Sequence, residues 1–165
     1  MATITDNLKL IAFDQSTRAT GWCVMEVGSL DIVKFGVIEP DQKAETNERI
    51  RETIKRCMAL CRNYEVAFVF IEGIQVQQNP RVFEILAKLQ GTLEICLEEK
   101  GYFVNVVKAP EWRKRVGITN KKRADVKQQA ITMVEELYEI TATEDECEAI
   151  LFARAYSQEE IKEEE

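Results

Sequence analysis

The chain has 165 residues, which suits one ordinary domain and excludes a multidomain machine. Apolar residues make up 45% and charged residues 31%, a globular balance that excludes a disordered chain or a fibre; the net charge of −7 on its face disfavours a polyanionic partner. Histidine does not occur, so acid–base or metal chemistry must fall to carboxylates, lysines, thiols or tyrosines.

Residues 8–14 (LKLIAFD) form a short apolar run ending in an acid, and residues 20–27 and 31–39 alternate and are rich in β-branched and aromatic side chains. With the turn-sized gap at Gly28-Ser29-Leu30, these three segments predict an antiparallel meander. Residues 45–64 carry Ile50, Ile54, Met58 and Cys61 at helical spacing after Pro40-Asp41. Residues 66–72 (VAFVFIE) are almost wholly apolar and again stop at an acid, which predicts a central parallel strand buried on both faces. Pro80 is placed to open a long helix carrying Val82, Phe83, Leu86, Leu89, Gln90, Leu93 and Leu97 on a broad inward face, ended by Gly101. Residues 103–107 read as a further strand, and Ala109-Pro110 as the start of a short basic helix that breaks at Gly117. Residues 124–137 are again helical, with Val126, Ala130, Met133, Val134 and Leu137 inward, and a last helix spans 144–156 before an acidic tail from about residue 157 that is expected to fray. The sum is an α/β domain with a five-stranded mixed sheet, three antiparallel strands followed by parallel ones, flanked by helices on both faces.

The five cysteines, at 23, 57, 61, 96 and 147, include no C-x-x-C pair and are expected to be reduced and mostly buried. No signal-peptide-like segment opens the chain and no run approaches the ~18 apolar residues of a spanning helix, so a cytoplasmic protein with no membrane association is expected.

Asp14 and Glu72 each interrupt an apolar strand at its carboxyl end, the edge at which mixed α/β sheets bind ligands. Asp145 and Glu148, three apart at the start of the last helix, share one face of it. Acids at a helix N-terminus can simply complement the macrodipole. Combined with Asp14 and Glu72 they form an all-oxygen set that would repel itself without cations, and hard oxygen ligands select Mg²⁺ or Mn²⁺. Two such ions about 3.5–4 Å apart promote phosphodiester hydrolysis, so the cluster points to a nuclease.

The sequence IAFDQSTRATGW resembles the first-strand motif of the RuvC family of Holliday junction resolvases, and FIEGIQVQQNP resembles its second motif, with a Glu ending a strand and an Asn following. VKAPEWRKRVGITNKKRADVKQQAITMVEELYEI and EDECEAILFARAY are similar to the family's basic segment and final acidic helix. The resemblance runs from about residue 8 to 156 and implies a single ribonuclease H-like nuclease domain over residues 1–165. It further implies homodimeric action and Mg²⁺-dependent paired nicking of four-way DNA junctions in recombination, repair or phage DNA processing. Position by position, it makes Asp14, Glu72, Asp145 and Glu148 the catalytic metal ligands. Glu148 stands where the family more often has Asp, Gln15-Ser16 replaces Pro-Gly, and Gln75 replaces an aromatic wedge. The last departure resembles bacteriophage members and implies activity on several kinds of branched DNA, forks and flaps included.

Residues 108–127 hold Lys108, Arg113, Lys114, Arg115, Lys121, Lys122, Arg123 and Lys127 against Glu111 and Asp125, a local net charge of +6 inside an acidic chain. Such a segment can hold a phosphate backbone. Arg18, after Asp14, and Arg81 join it as lesser candidates. Trp112, within the segment, is expected to pack in the core rather than stack on a base, and Tyr102 and Phe103 to be structural. In the family a lysine lies close to the scissile phosphate, and Lys121, Lys122 and Lys127 are the candidates for it. Two other functions compete: a branched-DNA-binding protein without catalysis, and an ATP-binding domain like those of actin and sugar kinases, which FDQSTRATGW also resembles.

Overall fold

In the computed structural model, which describes residues 8–16, 18–76, 78–119 and 122–158, the chain begins with strands β1 (Lys9–Asp14), β2 (Thr20–Glu26) and β3 (Ile32–Ile38). There follow α1 (Thr46–Asn63), β4 (Phe68–Gly73), α2 (Pro80–Glu99), β5 (Phe103–Lys108), α3 (Ala109–Val116), α4 (Arg123–Tyr138) and α5 (Glu144–Ser157). The predicted elements are all present in the predicted order.

The sheet order is β3-β2-β1-β4-β5, with β1 antiparallel to β2 and parallel to β4, and β5 parallel to β4. β1 takes the centre because Leu10, Ile11, Ala12 and Phe13 are apolar on both faces, and none is more than 1% exposed. Strand alternation divides the core in two. Ile11, Phe13, Val24, Val69 and Ile71 face Ile54, Cys57, Leu93 and Leu97 of α1 and α2. Leu10, Ala12, Cys23 and Met25 face α3, α4 and α5, where Trp112, Val134, Ile150 and Phe152 meet them. Full burial of each such large side chain contributes about 1.5–3 kcal/mol.

α5 is apolar nearly all round: from Cys147 to Ser157 every residue but Arg154 is buried. This marks it as the central helix of its layer, lying on β1, β2 and β3 between α3 and α4. Three positions depart from expectation. Phe68 and Phe70 of β4 are only half-buried, because α5 leaves that side of β4 and β5 open as a groove of about 710 Å³. Phe103, on the edge strand β5, is 71% exposed rather than structural. Leu137, near the end of α4, is 45% exposed instead of inward.

Tyr102 is half-buried against the α1 and α2 layer, and Trp112 is core, as expected. Cys23, Cys57, Cys61 and Cys147 are buried, Cys96 is half-buried, and all five are free thiols. Ser157, expected in the tail, closes α5: its hydroxyl donates to Ala153 O at 2.9 Å and its carbonyl accepts from Gly28 N at 3.0 Å. The rest of the acidic tail, residues 159–165, lies outside the described residues. Among the described residues no helix is long and apolar enough to cross a membrane.

Candidate active site

The first pair of acids is placed by the sheet. Parallel pairing of β1 with β4 sets Phe13 beside Ile71, so Asp14 and Glu72 follow at the same carboxyl edge. Alternation turns both away from the α1 and α2 layer, on the side where Leu10, Ala12, Phe68 and Phe70 meet α5.

The second pair is placed by the start of α5. The Thr143 hydroxyl accepts from the backbone N–H of Glu146 at 3.3 Å, and Glu146 Oε1 accepts from Thr143 N at 3.0 Å, a reciprocal capping box. That box fixes the first turn, so Asp145 and Glu148 emerge on one face. Gly21 lets this turn approach the sheet. It pairs with Asp14 across β1 and β2, and a Cβ built on it would collide with the backbone carbonyl of Asp145.

Carboxylate oxygens of Asp14, Asp145 and Glu148 consequently lie within 4.8 Å of one another. Burial, followed by the nearby charge of Glu72 and contact with Glu72 and Glu148, pushes the Asp14 carboxyl well above its ordinary range. Glu148, 8% exposed, is also raised, first by burial and then by Glu72; contact with Asp14 and the cations Arg113 and Lys127 pull the other way without reversing it. Thiols are not part of this chemistry, since burial pushes Cys147 up to about 11 and Cys61 to about 12. A compact set of oxygens under mutual repulsion fits a hard divalent cation, which would relieve that repulsion directly.

Glu72 borders this triad through its contact with Asp14. Its Oε1 accepts a hydrogen bond from the indole Nε1 of Trp112 at 3.0 Å. Arg113, the next residue, lies with one guanidinium nitrogen 3.9 Å from Glu148 Oε1. Lys127 Nζ sits 2.9 Å from Glu144 Oε2 and close enough to Glu148 to affect it. Two cations from the basic segment therefore border the acids.

The other cations lie on several elements. Lys114 is exposed on α3, Lys122 and Arg123 are exposed at the start of α4, Arg81 is exposed in the first turn of α2, and Arg18 is exposed in the loop after Asp14. Arg115 points elsewhere, over the ring of Tyr156 at 4.5 Å with Glu111 3.9 Å away. Lys121 lies outside the described residues.

Sequence reasoning missed the clamp behind the acids. Gln15 is 8% exposed and its Nε2 donates to Glu72 O at 3.4 Å and to Gln90 Oε1 at 3.5 Å. Gln90 Oε1 also accepts from Ile74 N at 2.8 Å, tying the loop after β4 to α2. A glutamine following the first acid was the available signal. Its partner, 75 residues away, left no local trace.

A family model for crossover junction endodeoxyribonuclease RuvC matches residues 10–153. The chain belongs to the RuvC family. Crossover junction endodeoxyribonuclease RuvC of Ehrlichia chaffeensis is 25% identical over 107 residues, covering 61% of this chain and 69% of the relative. T. thermophilus RuvC, solved in complex with a Holliday junction substrate, superposes with a TM-score of 0.75 at 11% identity over 92% of this chain and 94% of that one. Fowlpox virus resolvase, solved with substrate Holliday junction DNA, gives 0.61 at 11% identity over 92% and 97% of the two chains. At these identities the superpositions establish the RuvC-like, ribonuclease H-like fold that the sequence motifs predict.

Proposed function

We propose that this RuvC-family protein is a metal-dependent endonuclease that resolves four-way DNA junctions, and other branched DNA, by paired nicks. The observation that carries the reading is the convergence of acids from β1, β4 and α5 at one sheet edge, inside a fold shared with junction resolvases. Asp14, Asp145 and Glu148 would hold Mg²⁺, with Mn²⁺ able to substitute, and Glu72 would complete the set. Two such ions, when bound, supply Lewis acidity at the scissile phosphate and lower the pKa of the attacking water.

The chain's own groups then have distinct tasks. The capping box and the close contact at Gly21 hold the two α5 acids against Asp14. Arg113 and Lys127 border the acids with positive charge that a phosphodiester would meet on approach. Arg18, Arg81, Lys114, Lys122 and Arg123 offer phosphate contacts over a wider surface, and Lys121 and Arg115 belong to the same basic segment. Water adds to phosphorus and the 3′-oxygen leaves, so the products carry a 5′-phosphate and a 3′-hydroxyl. Two symmetric cuts require two sites, which a two-fold homodimer of this single-domain chain provides.

The test is nicking of a synthetic four-way junction, with cut sites mapped and compared with Y-forks and linear duplex. Wild type is expected to cut branched DNA only with a divalent metal, and Asp14→Asn to bind without cutting. Equal activity from both proteins would sink the assignment. Sedimentation of the protein on junction DNA should give two chains per junction.

A further inference from the structure

Trp112 has two sides, and only one of them is explained by core packing. The ring is 1% exposed and stacks on Phe152 of α5 at 5.7 Å with an interplanar angle of 29°. Its single polar atom donates to Glu72 Oε1 at 3.0 Å. An indole N–H can only donate, and the packed ring cannot turn it toward another acceptor.

The approach follows from the chain path. Glu72 pairs with Val107 across β4 and β5, and α3 begins two residues later at Ala109, so its first turn returns Trp112 over the end of β4. The same ring therefore touches two separate parts of the acid site: Glu72 through its edge, and the helix bearing Asp145 and Glu148 through its face. Arg113 extends this link, with its guanidinium carbon 5.6 Å from the Trp112 ring centre and one nitrogen 3.9 Å from Glu148.

We propose that Trp112 is a positioning residue that engages one oxygen of Glu72, fixes the carboxylate's rotation and leaves its other oxygen for the divalent metal. This rests on the nuclease reading above. Glu72 meets the Asp14 carboxyl as well as the indole, so the tether fixes the orientation of an acid that borders the Asp14, Asp145 and Glu148 group. A neutral donor also suits the place: it orients Glu72 without cancelling the negative charge that draws in the cation. Supporting contacts of this kind typically set metal affinity or activity by about 10–100-fold.

The decisive variant is Trp112→Phe, which keeps an aromatic ring against Phe152 and removes the N–H donor together with the part of the ring that carries it. The half-saturating Mg²⁺ concentration for junction nicking is expected to rise about tenfold or more, with junction affinity in EDTA within about twofold of wild type. A folded Trp112→Phe protein whose metal dependence and nicking rate match wild type within about twofold overturns the proposal. A second measurement does not depend on that variant's stability. The chain has two tryptophans, so Trp22→Phe leaves a single indole N–H resonance, that of Trp112, in a ¹⁵N-labelled protein. Mg²⁺ is expected to shift that resonance along the same saturation curve as metal binding followed by calorimetry. An unmoved indole resonance at metal saturation overturns the proposal too. Failure of the nuclease reading looks different, because wild type itself would neither bind Mg²⁺ nor cut.

Discussion

Replacing Asp14 with asparagine should stabilise the metal-free protein while abolishing its activity. The carboxylate oxygens of Asp14, Asp145 and Glu148 lie within 4.8 Å of one another. At that separation, with an effective dielectric constant of about 20, two full charges repel by about 3.5 kcal/mol. Wild type escapes part of this by holding a proton: burial, Glu72 and Glu148 keep the Asp14 carboxyl well above its ordinary range. The folded state thus binds that proton more tightly than the unfolded chain does. Stability from this group is complete below its unfolded-state pKa and is lost as pH rises through the folded-state value.

Asp14→Asn removes the charge and so removes that loss. In EDTA at alkaline pH the gain is expected to be about 2–3 kcal/mol, or about 5–10 °C in Tm for a domain of this size, shrinking as pH falls and wild type becomes protonated. Metal should close that gap, since Mg²⁺ at about 100 times its dissociation constant adds about 2.7 kcal/mol to wild type and much less to a protein missing a central ligand. Urea denaturation across this pH range, with EDTA or Mg²⁺, measures all four combinations. An Asp14→Asn protein no more stable than wild type in EDTA at the higher pH, or gaining as much from Mg²⁺ as wild type does, would contradict a repulsive, metal-binding acid cluster.

Other substitutions probe the remaining supports. Gly21→Ala places a methyl group against the Asp145 carbonyl, so α5 must shift; a loss of about 1–3 kcal/mol in thermal or urea unfolding should accompany at least a tenfold drop in nicking. Glu148→Asp should retain nicking with an altered Mg²⁺ to Mn²⁺ rate ratio, whereas Glu148→Gln should abolish it in the same assay. Lys122→Glu with Arg123→Glu should weaken junction binding in EDTA and flatten its salt dependence, by about one in logarithmic slope for each phosphate no longer neutralised. The Trp112→Phe protein, finally, should need more Mg²⁺ for half-maximal nicking at unchanged junction affinity.

What the sequence could disclose follows from the range over which its signals act. The strands and helices are local: the acid after LKLIAF, the acid after VAFVFI and Thr143 with Glu146 each mark a boundary within a few residues, and all three boundaries position site carboxylates. Net charge is a global sum and pointed away from DNA, because the acids of α5 and the tail outweighed a basic segment that the fold places beside the site. The misjudged positions, Phe103 and Leu137, are apolar residues whose periodicity is correct but whose neighbouring helix does not reach them.

Contacts between distant elements are a different kind of information. Burial of Trp112 was legible because a tryptophan on a short helix needs a core. The target of its N–H was not, because Glu72 lies 40 residues earlier and meets it only through β4–β5 pairing and the tight start of α3. Arg113 illustrates the same limit from the other side: as one of eight cations in its segment it resembles the rest, yet its side chain turns inward to Glu148 while Arg115, two residues on, packs over Tyr156. Helical rotation separates those two directions. A basic run in sequence is therefore not one surface: here it divides into cations that border the acids and cations that lie away from them, and only the latter can be exchanged without disturbing the acid site.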